Sequence, residues 1–286
     1  MKFSIIIPVY NEENAILDQI NEIIKYIEIY KIQAEIIVID DGSSDKTLSI
    51  VKNINYKNLK IYSNLNNLGY GFSIKKGVEL SNYDNIIMLD GDMTYPFSEI
   101  DKLISEYEKG FDLVIGERDN LTKHDGIMKG ILRQILILIV NFISGNKVPD
   151  PNSGYRIFKK NIFMKYDFLI SNSFSMSTSS LLCFVFNRSP IKFVKVNYRN
   201  RIGKTKIRLS RDIFRMLQAI FQVGLYFNTL KIYMVGFILF SLITISLFVI
   251  DYFFIYNFII YKLIFLFFSI QFLCFGFIAE ALRFRK

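Results

Sequence analysis

Residues Asn85–Asp92 read NIIMLDGD, a short apolar run that stops on two acids one residue apart. A run this short and this continuous reads as a strand buried on both faces of a parallel sheet. Working outward, the same grammar recurs. Phe3–Val9 (FSIIIPV) precedes Tyr10-Asn11-Glu12-Glu13, and Ala34–Ile39 (AEIIVI) precedes Asp40-Asp41-Gly42-Ser43-Ser44-Asp45. Leu59–Ser63 and Asp112–Ile115 complete the strand candidates. Helix-compatible stretches lie between them, to about Tyr30, after Thr47, and from Tyr70 to Leu80. The alternation predicts an α/β domain with a mostly parallel sheet, and such sheets bind ligands beyond the carboxyl ends of their strands.

That rule gives the polar clusters meaning. Singly, Asp-Gly and Asp-Gly-Ser are ordinary turn and N-cap chemistry. Together they set five carboxylates (Glu12, Asp40, Asp41, Asp90, Asp92) along one sheet edge. Such a row repels itself, so a cation or donor-rich ligand is its natural neutraliser. Asp90-x-Asp92 suits Mg²⁺ or Mn²⁺, with diphosphate oxygens and water filling the remaining positions. The run Gly69-Tyr70-Gly71 followed by Gly77 does not match G-x-G-x-x-G, and there is no P-loop. Two cysteines, Cys183 and Cys274, and one histidine, His124, exclude a disulfide scaffold, a Cys- or His-based metal site and a Ser-His-Asp triad.

The C-terminal part differs. The chain of 286 residues carries a net charge of +9 yet is 51% hydrophobic, which directs the basic surface to a membrane rather than to nucleic acid. Ile232–Ile250 holds 19 residues without a charge, about 28 Å of helix and close to the hydrocarbon thickness of a bilayer. Phe258–Ala279 holds only Lys262, placed to snorkel to the interface. Two buried helices of a soluble bundle are the alternative, although neither run has a polar face. Seven basic residues lie between Arg199 and Arg215, and Arg283, Arg285 and Lys286 close the chain, whereas the linker 251–257 has no Lys or Arg. The asymmetry predicts that both termini and the large domain are cytoplasmic, and the N-terminal run is too short and too acidic for a signal peptide. Two further segments read as helices in the headgroup plane or, alternatively, as core helices: Gly126–Ser144, and about Leu209–Phe227 with its stripe Arg208, Arg211, Arg215, Gln218 and Gln222. The expected organisation is a domain at 1–207 that includes the helix at 126–144, an amphipathic helix at 208–229, and a two-helix hairpin at 230–286 with spans at about 231–250 and 258–279.

The ordered set SIIIPVYNEE, VIDDGSSDKT, NNLGYGFSIKKG, MLDGD, LVIGER, DPNSGYRIFKK and RNRIGKTKI resembles the family 2 glycosyltransferases of GT-A (Rossmann-like) fold. Within them the chain is similar to the polyprenyl-phosphate sugar synthases of the dolichyl-phosphate mannose synthase type. The resemblance implies that Pro8, Tyr10, Glu12, Ile39 and Asp41 border a nucleotide, with the carboxylates accepting from base and ribose. It implies a metal at Asp90 and Asp92, with Thr94 where relatives often carry Gln or Ser, and Gly91 allowing close approach of the donor. Arg118 is then expected at phosphate, and Arg201 and Lys206 over the donor diphosphate; Asp92, Arg118, Arg201 and Lys206 are the expected catalytic set. Lys129 and Arg133 are the candidates for the acceptor phosphate. Phe174–Ser179 (FSMSTS) departs from the acidic residue that many relatives carry there, and a chain without Trp lacks the Q-x-x-R-W motif of processive synthases.

The activity implied is inverting transfer of a single hexose from a nucleotide sugar, UDP- or GDP-linked, to a polyprenyl phosphate at the cytoplasmic leaflet, with Mg²⁺ or Mn²⁺. Assembly through the interfacial helices and hairpin is a compatible expectation. A transferase acting on another membrane lipid and a catalytically silent membrane scaffold are the competing readings. The charges of Asp90, Asp92, Arg201 and Lys206, which nothing structural requires, speak against the scaffold.

Overall fold

In a computed structural model, residues 1–119, 127–202, 209–254 and 258–283 are described. The chain divides into two compact units, Met1–Ile220 and Phe221–Lys286.

The first unit is built on seven strands: β1 (Lys2–Val9), β2 (Gln33–Asp40), β3 (Leu59–Ser63), β4 (Asn85–Met88), β5 (Leu113–Arg118), β6 (Arg156–Lys159) and β7 (Ile191–Val196). Their order is β3-β2-β1-β4-β6-β5-β7. Six run one way, and β6 alone is antiparallel to both neighbours, with Met88 and Ile115 each opposite Arg156. β1 and β2 are buried from their second residue onward, as their continuous apolar runs require. Helix α1 (Ile16–Tyr30) covers the sheet with the stripe Ile16, Ile20, Ile23 and Ile27, and ends at Lys31 in the left-handed region. Helices α2 (Thr47–Lys52), α3 (Tyr70–Leu80) and α4 (Ile100–Tyr107) follow their strands.

The direction of β6 matters for function. The carboxyl ends of β1, β2, β4, β5 and β7 share one edge. Because β6 runs the other way, the segment that precedes it, Asp150–Tyr155, arrives at that same edge. The mixed sheet is thus mostly parallel as expected, and the reversed strand is what sequence periodicity did not announce.

Helix α5 (Ile127–Ser144) buries Leu136, Val140 and Ile143 while Ile131, Ile135, Leu138 and Phe142 stay exposed, an apolar stripe at steps of 4, 3 and 4. Helix α6 (Lys160–Lys165) leads to α7 (Met176–Phe186), which is buried over its first nine residues. Helix α8 (Leu209–Phe227) matches the predicted amphipathic segment and exposes Phe214.

The second unit holds α9 (Thr229–Phe254) and α10 (Ile259–Arg283), each long and apolar enough to cross a membrane. They extend past the expected spans at both outer ends. They pack antiparallel: Gly276 against Tyr233, Gly236 against the Phe272 ring, and the Ser241 and Ser269 hydroxyls 2.6 Å apart. Gly236 has no room for a side chain, since a Cβ would fall 2.3 Å from Phe272. Lys262 pairs with Asp251, with its ammonium 4.4 Å from the centre of the Phe248 ring. A buried cation takes the nearest carboxylate, and Asp251 at the end of α9 supplies it.

Candidate active site

The strand ends of the first unit open into a cavity of about 810 Å³, within the range of ligand sites. The loops after β1 and β2 are laced together on one side. Asn11 sits in the left-handed region, its amide nitrogen donates to Ser43 Oγ (2.9 Å), and its side-chain oxygen accepts from the Ser44 amide (2.8 Å). Left-handed backbone is tolerated better by Asn than by most residues. Pro8, Tyr10 and Glu12 reach the cavity from this lacework.

Asp41 also lines the cavity, but its oxygens are engaged. They accept from Asn64 Nδ2 (2.9 Å), the Leu68 amide (3.0 Å) and the Gly69 amide (2.9 Å). Asp41 therefore anchors the entry to α3. That entry is tight: Gly69 has a φ of +107°, and a Cβ there would meet the Asn172 carbonyl oxygen at 2.6 Å. Ile39 is fully buried in β2 and does not line the cavity.

Asp90 and Asp92 stand beyond the end of β4, at the switch point where the chain leaves β1 for β2 on one side and β4 lies on the other. Asp90 accepts from the Tyr70 hydroxyl at 2.8 Å. Burial, and then the neighbouring Asp92 carboxylate, push Asp90 up to about 6. Asp92 Oδ1 accepts the Thr94 hydroxyl (2.6 Å) and the Thr94 amide (3.2 Å), while Asp92 Oδ2 lies 3.4 Å from Arg201. Thr94 is buried outside the cavity lining and acts on Asp92. Arg201 also pairs with Glu12, so one guanidinium bridges two acids from separate loops. The Arg199 amide donates to the Thr94 carbonyl at 2.8 Å, fixing the basic segment against the acidic loop.

Arg118, at the end of β5, lines the cavity and forms a two-point pair with Asp150. Its guanidinium lies 5.4 Å from the centre of the Tyr198 ring. Arg133 from α5 lines the cavity too, and burial followed by the Arg118 charge lowers its pKa. Lys206, His124 and the side chain of Lys129 lie outside the described residues.

Beyond these, the cavity gains residues the sequence did not single out as site residues. Tyr70 stacks on Phe174 with ring centres 5.8 Å apart. Gly154 leaves space for Asp90, since a Cβ there would fall 2.6 Å from its Oδ2. Arg156, just below, is fully buried and donates to the carbonyls of Pro151 (2.8 Å), Ser153 (2.7 Å) and Ser177 (2.6 Å), which fixes the Asp150–Gly154 segment to α7. Burial lowers Arg156 to about 10. The motif DPNSGYRIFKK contained these residues; their geometry needed the reversed strand. The far wall is apolar, with Leu132, Leu136 and Ile139 from α5 and Ile213, Met216 and Leu217 from α8, and Arg211 and Arg215 stand beside it.

Among the described residues, no three His, Cys, Asp or Glu side chains converge into a closed metal cage. Two hard carboxylates at the wall of an open cavity are instead what Mg²⁺ or Mn²⁺ takes when phosphate oxygens and water complete its coordination. Asp90 and Asp92 fit such an ion.

Several known proteins share this fold or part of this sequence. Glucosyl-3-phosphoglycerate synthase from Mycobacterium tuberculosis aligns with a TM-score of 0.62 at 17% identity, covering 78% of this chain and 80% of that one. Another structure of that enzyme, with Mn²⁺, UDP-glucose and phosphoglyceric acid, aligns with a TM-score of 0.60. This likeness establishes the GT-A fold. Among curated proteins, undecaprenyl-phosphate 4-deoxy-4-formamido-L-arabinose transferase from Salmonella choleraesuis (strain SC-B67) is 32% identical over 164 residues, 56% of this chain and 50% of the relative. The protein of the same description from Proteus mirabilis (strain HI4320) is 27% identical over the same length and the same shares. The chain thus spans about half the length of these relatives. The glycosyl transferase family 2 model matches residues 4–168, the stretch that carries nearly all of β1 through β6 and the cavity acids Glu12, Asp41, Asp90 and Asp92, and the chain belongs to that family.

Proposed function

We propose that the protein transfers a single hexose, with inversion, from a nucleoside-diphosphate sugar to a polyprenyl phosphate at the cytoplasmic leaflet. The observation that carries this reading is the two-sided cavity: acids and aromatic residues on the sheet side, an apolar wall with Arg133, Arg211 and Arg215 on the α5–α8 side. The first side suits a nucleotide sugar, the second an anionic lipid. The names of the curated relatives, which act on undecaprenyl phosphate, support the acceptor class.

In this reading Pro8, Tyr10, Glu12 and Asp41 border the nucleotide, and Gly91 lets the donor approach the strand end. Asp90 and Asp92 hold Mg²⁺ or Mn²⁺, which when bound supplies positive charge to the diphosphate. Arg118 and Arg201 offer the leaving diphosphate further charge from the protein, with Lys206 expected to join them. A phosphate acceptor is already anionic near neutral pH, so no general base is needed. Catalysis then consists of positioning and charge stabilisation. The cations Arg133, Arg211 and Arg215 hold the acceptor phosphate while its chain lies along the apolar wall. The two long apolar helices anchor the protein in the membrane, with the basic segment and both termini on the cytoplasmic side.

The test uses detergent-purified protein, Mn²⁺ or Mg²⁺, polyprenyl phosphate and a panel of radiolabelled UDP- and GDP-sugars, with Asp92→Ala as control. Label from one donor should enter the organic phase and vanish in the variant. No incorporation from any donor by well-folded protein, or equal incorporation into a lipid alcohol such as diacylglycerol, overturns the reading.

A further inference from the structure

The apolar stripe of α1 contains one polar residue, Gln19, which is 0% exposed. A leucine there would continue the row Ile16, Ile20, Ile23, Ile27 with no polar group of its own to satisfy. The glutamine is costly, because its side-chain nitrogen is buried with no hydrogen-bond partner. Its oxygen accounts for its presence by accepting the Met93 amide at 3.1 Å.

Met93 is the residue directly after Asp92, and its φ is +64°. An unbranched L side chain reaches that region at an energetic cost and persists there only when its surroundings enforce it. The enforcement is visible along the segment. The Leu89 amide donates to the Ile6 carbonyl (3.3 Å), Gly91 packs against Val9, and the Phe97 amide donates to Glu22 Oε1 (2.8 Å). Between those ties, among the described residues, the side chain from outside the segment that reaches the Met93 amide is Gln19, one turn of α1 before Glu22. Reversal of the backbone at Met93 is also what turns the Thr94 amide and hydroxyl back onto Asp92 Oδ1.

We infer that Gln19 is a positioning residue for the Asp90–Thr94 segment: by accepting the Met93 amide it holds the left-handed turn that aims the Asp92 carboxylate into the cavity. Gln19 itself does not line the cavity. It acts on the ion site through the backbone, in the way that partners behind a metal ligand set its orientation. The part of this inference that concerns the metal rests on the proposed nucleotide-sugar reading; the part that concerns the loop does not.

The experiment compares full-length wild type with Gln19→Leu in detergent, by hydrogen–deuterium exchange of peptides spanning 89–97 and by calorimetric titration of Mn²⁺ in the presence of UDP. Leucine extends the apolar stripe, so the melting temperature should not fall. Exchange should accelerate in the 89–97 segment alone, and Mn²⁺ affinity should drop by roughly 10- to 100-fold. Gln19→Met, of similar length and without the acceptor, should behave alike and replaces the leucine variant if that does not fold. Unchanged exchange in the 89–97 segment overturns the inference. So does faster exchange spread over α1 and the sheet with a lowered melting temperature, which is the signature of packing alone. Absence of Mn²⁺ binding to the wild type would instead remove the metal reading, with the exchange result still deciding the role of Gln19.

Discussion

Arg118 and Asp150 meet at two points, Nε to Oδ2 and Nη2 to Oδ1, each 2.8 Å, with the Asp150 carboxylate almost entirely shielded from water. The pair joins the end of β5 to the segment before β6, and so fixes which way Arg118 faces the cavity. Burial raises Asp150, and the Arg118 hydrogen bonds and charge more than offset it, leaving the carboxyl below its ordinary value.

Removing one partner of such a pair leaves the other charge buried and uncompensated. Asp150→Asn should therefore destabilise the first unit by about 3 kcal/mol near neutral pH. The pH dependence has a definite sign. A carboxyl lowered on folding stabilises above its unfolded value, about 3.9, and that contribution is lost as pH falls through the lower folded value. The gap in melting temperature between wild type and Asp150→Asn should narrow as pH drops below about 4. A gap that stays constant over that range would show that the pair does not carry this stability.

Gly154 offers a change that spares the fold. The three atoms nearest its Cβ would all belong to the Asp90 carboxylate, whose oxygens would lie 2.6 and 2.8 Å away. A carboxylate can swing aside at little cost to packing, but it then leaves the Tyr70 hydroxyl and its place at the cavity wall. Gly154→Ala should melt close to wild type while transfer activity falls about 10²-fold, the usual consequence of an ångström-scale displacement. Normal activity would show that Asp90 has no fixed position to keep.

Arg201 bridges Glu12 and Asp92, and one of its nitrogens, Nε, is buried without a partner. A guanidinium with donor capacity in reserve, held between two acids, suits a phosphate that arrives with the ligand. Arg201→Met should lower kcat about 10²-fold or more and also lower the melting temperature, because Glu12 and Asp92 lose the cation they share, as read by label transfer and thermal denaturation side by side.

The same residues show how far the sequence reaches. Helix α3 is predicted and observed over Tyr70–Leu80, and α8 over Leu209–Phe227, because amphipathic spacing and glycine punctuation are local signals. Pro8, Glu12, Asp90, Asp92 and Arg201 converge because parallel strands must deliver their carboxyl ends to one edge. What stayed hidden depends on contacts distant in sequence. Asp150 reaches Arg118 only because β6 is reversed, and Asp41 turns to the backbone of the α3 entry. Ile39 is buried with the rest of β2, and the Thr94–Asp92 bonds, though local, need the left-handed turn at Met93. Lys262 likewise pairs with an acid eleven positions back, across the hairpin turn.

That hairpin pair is open to a double-mutant cycle. Lys262 and Asp251 are each more than four-fifths shielded, so Asp251→Ala strands a cation in apolar surroundings. It should lower hairpin stability by about 3 kcal/mol, whereas adding Lys262→Met should recover most of the loss. Additive effects in a thermal or denaturant assay of the detergent-solubilised chain would mean that the two side chains do not act on one another.

In the proposed reading Arg133 belongs to the acceptor side of the cavity. It belongs to α5, whose Leu132, Leu136 and Ile139 form the apolar wall, and it lies near enough to Arg118 for that charge to lower its pKa. Two neighbouring guanidiniums repel, and an anion between them relieves the repulsion; a lipid phosphate beside an apolar wall is such an anion. One charge-assisted hydrogen bond contributes about 1.5–3 kcal/mol, so Arg133→Ala should raise the KM for polyprenyl phosphate roughly 10- to 100-fold. The KM for the nucleotide sugar should stay near the wild-type value, because the acids and Arg201 that border the donor side come from other elements. Varying each substrate at saturation of the other gives both constants from one preparation. A rise in the donor KM with the acceptor KM unchanged would assign Arg133 to the nucleotide side and reverse the polarity of the cavity.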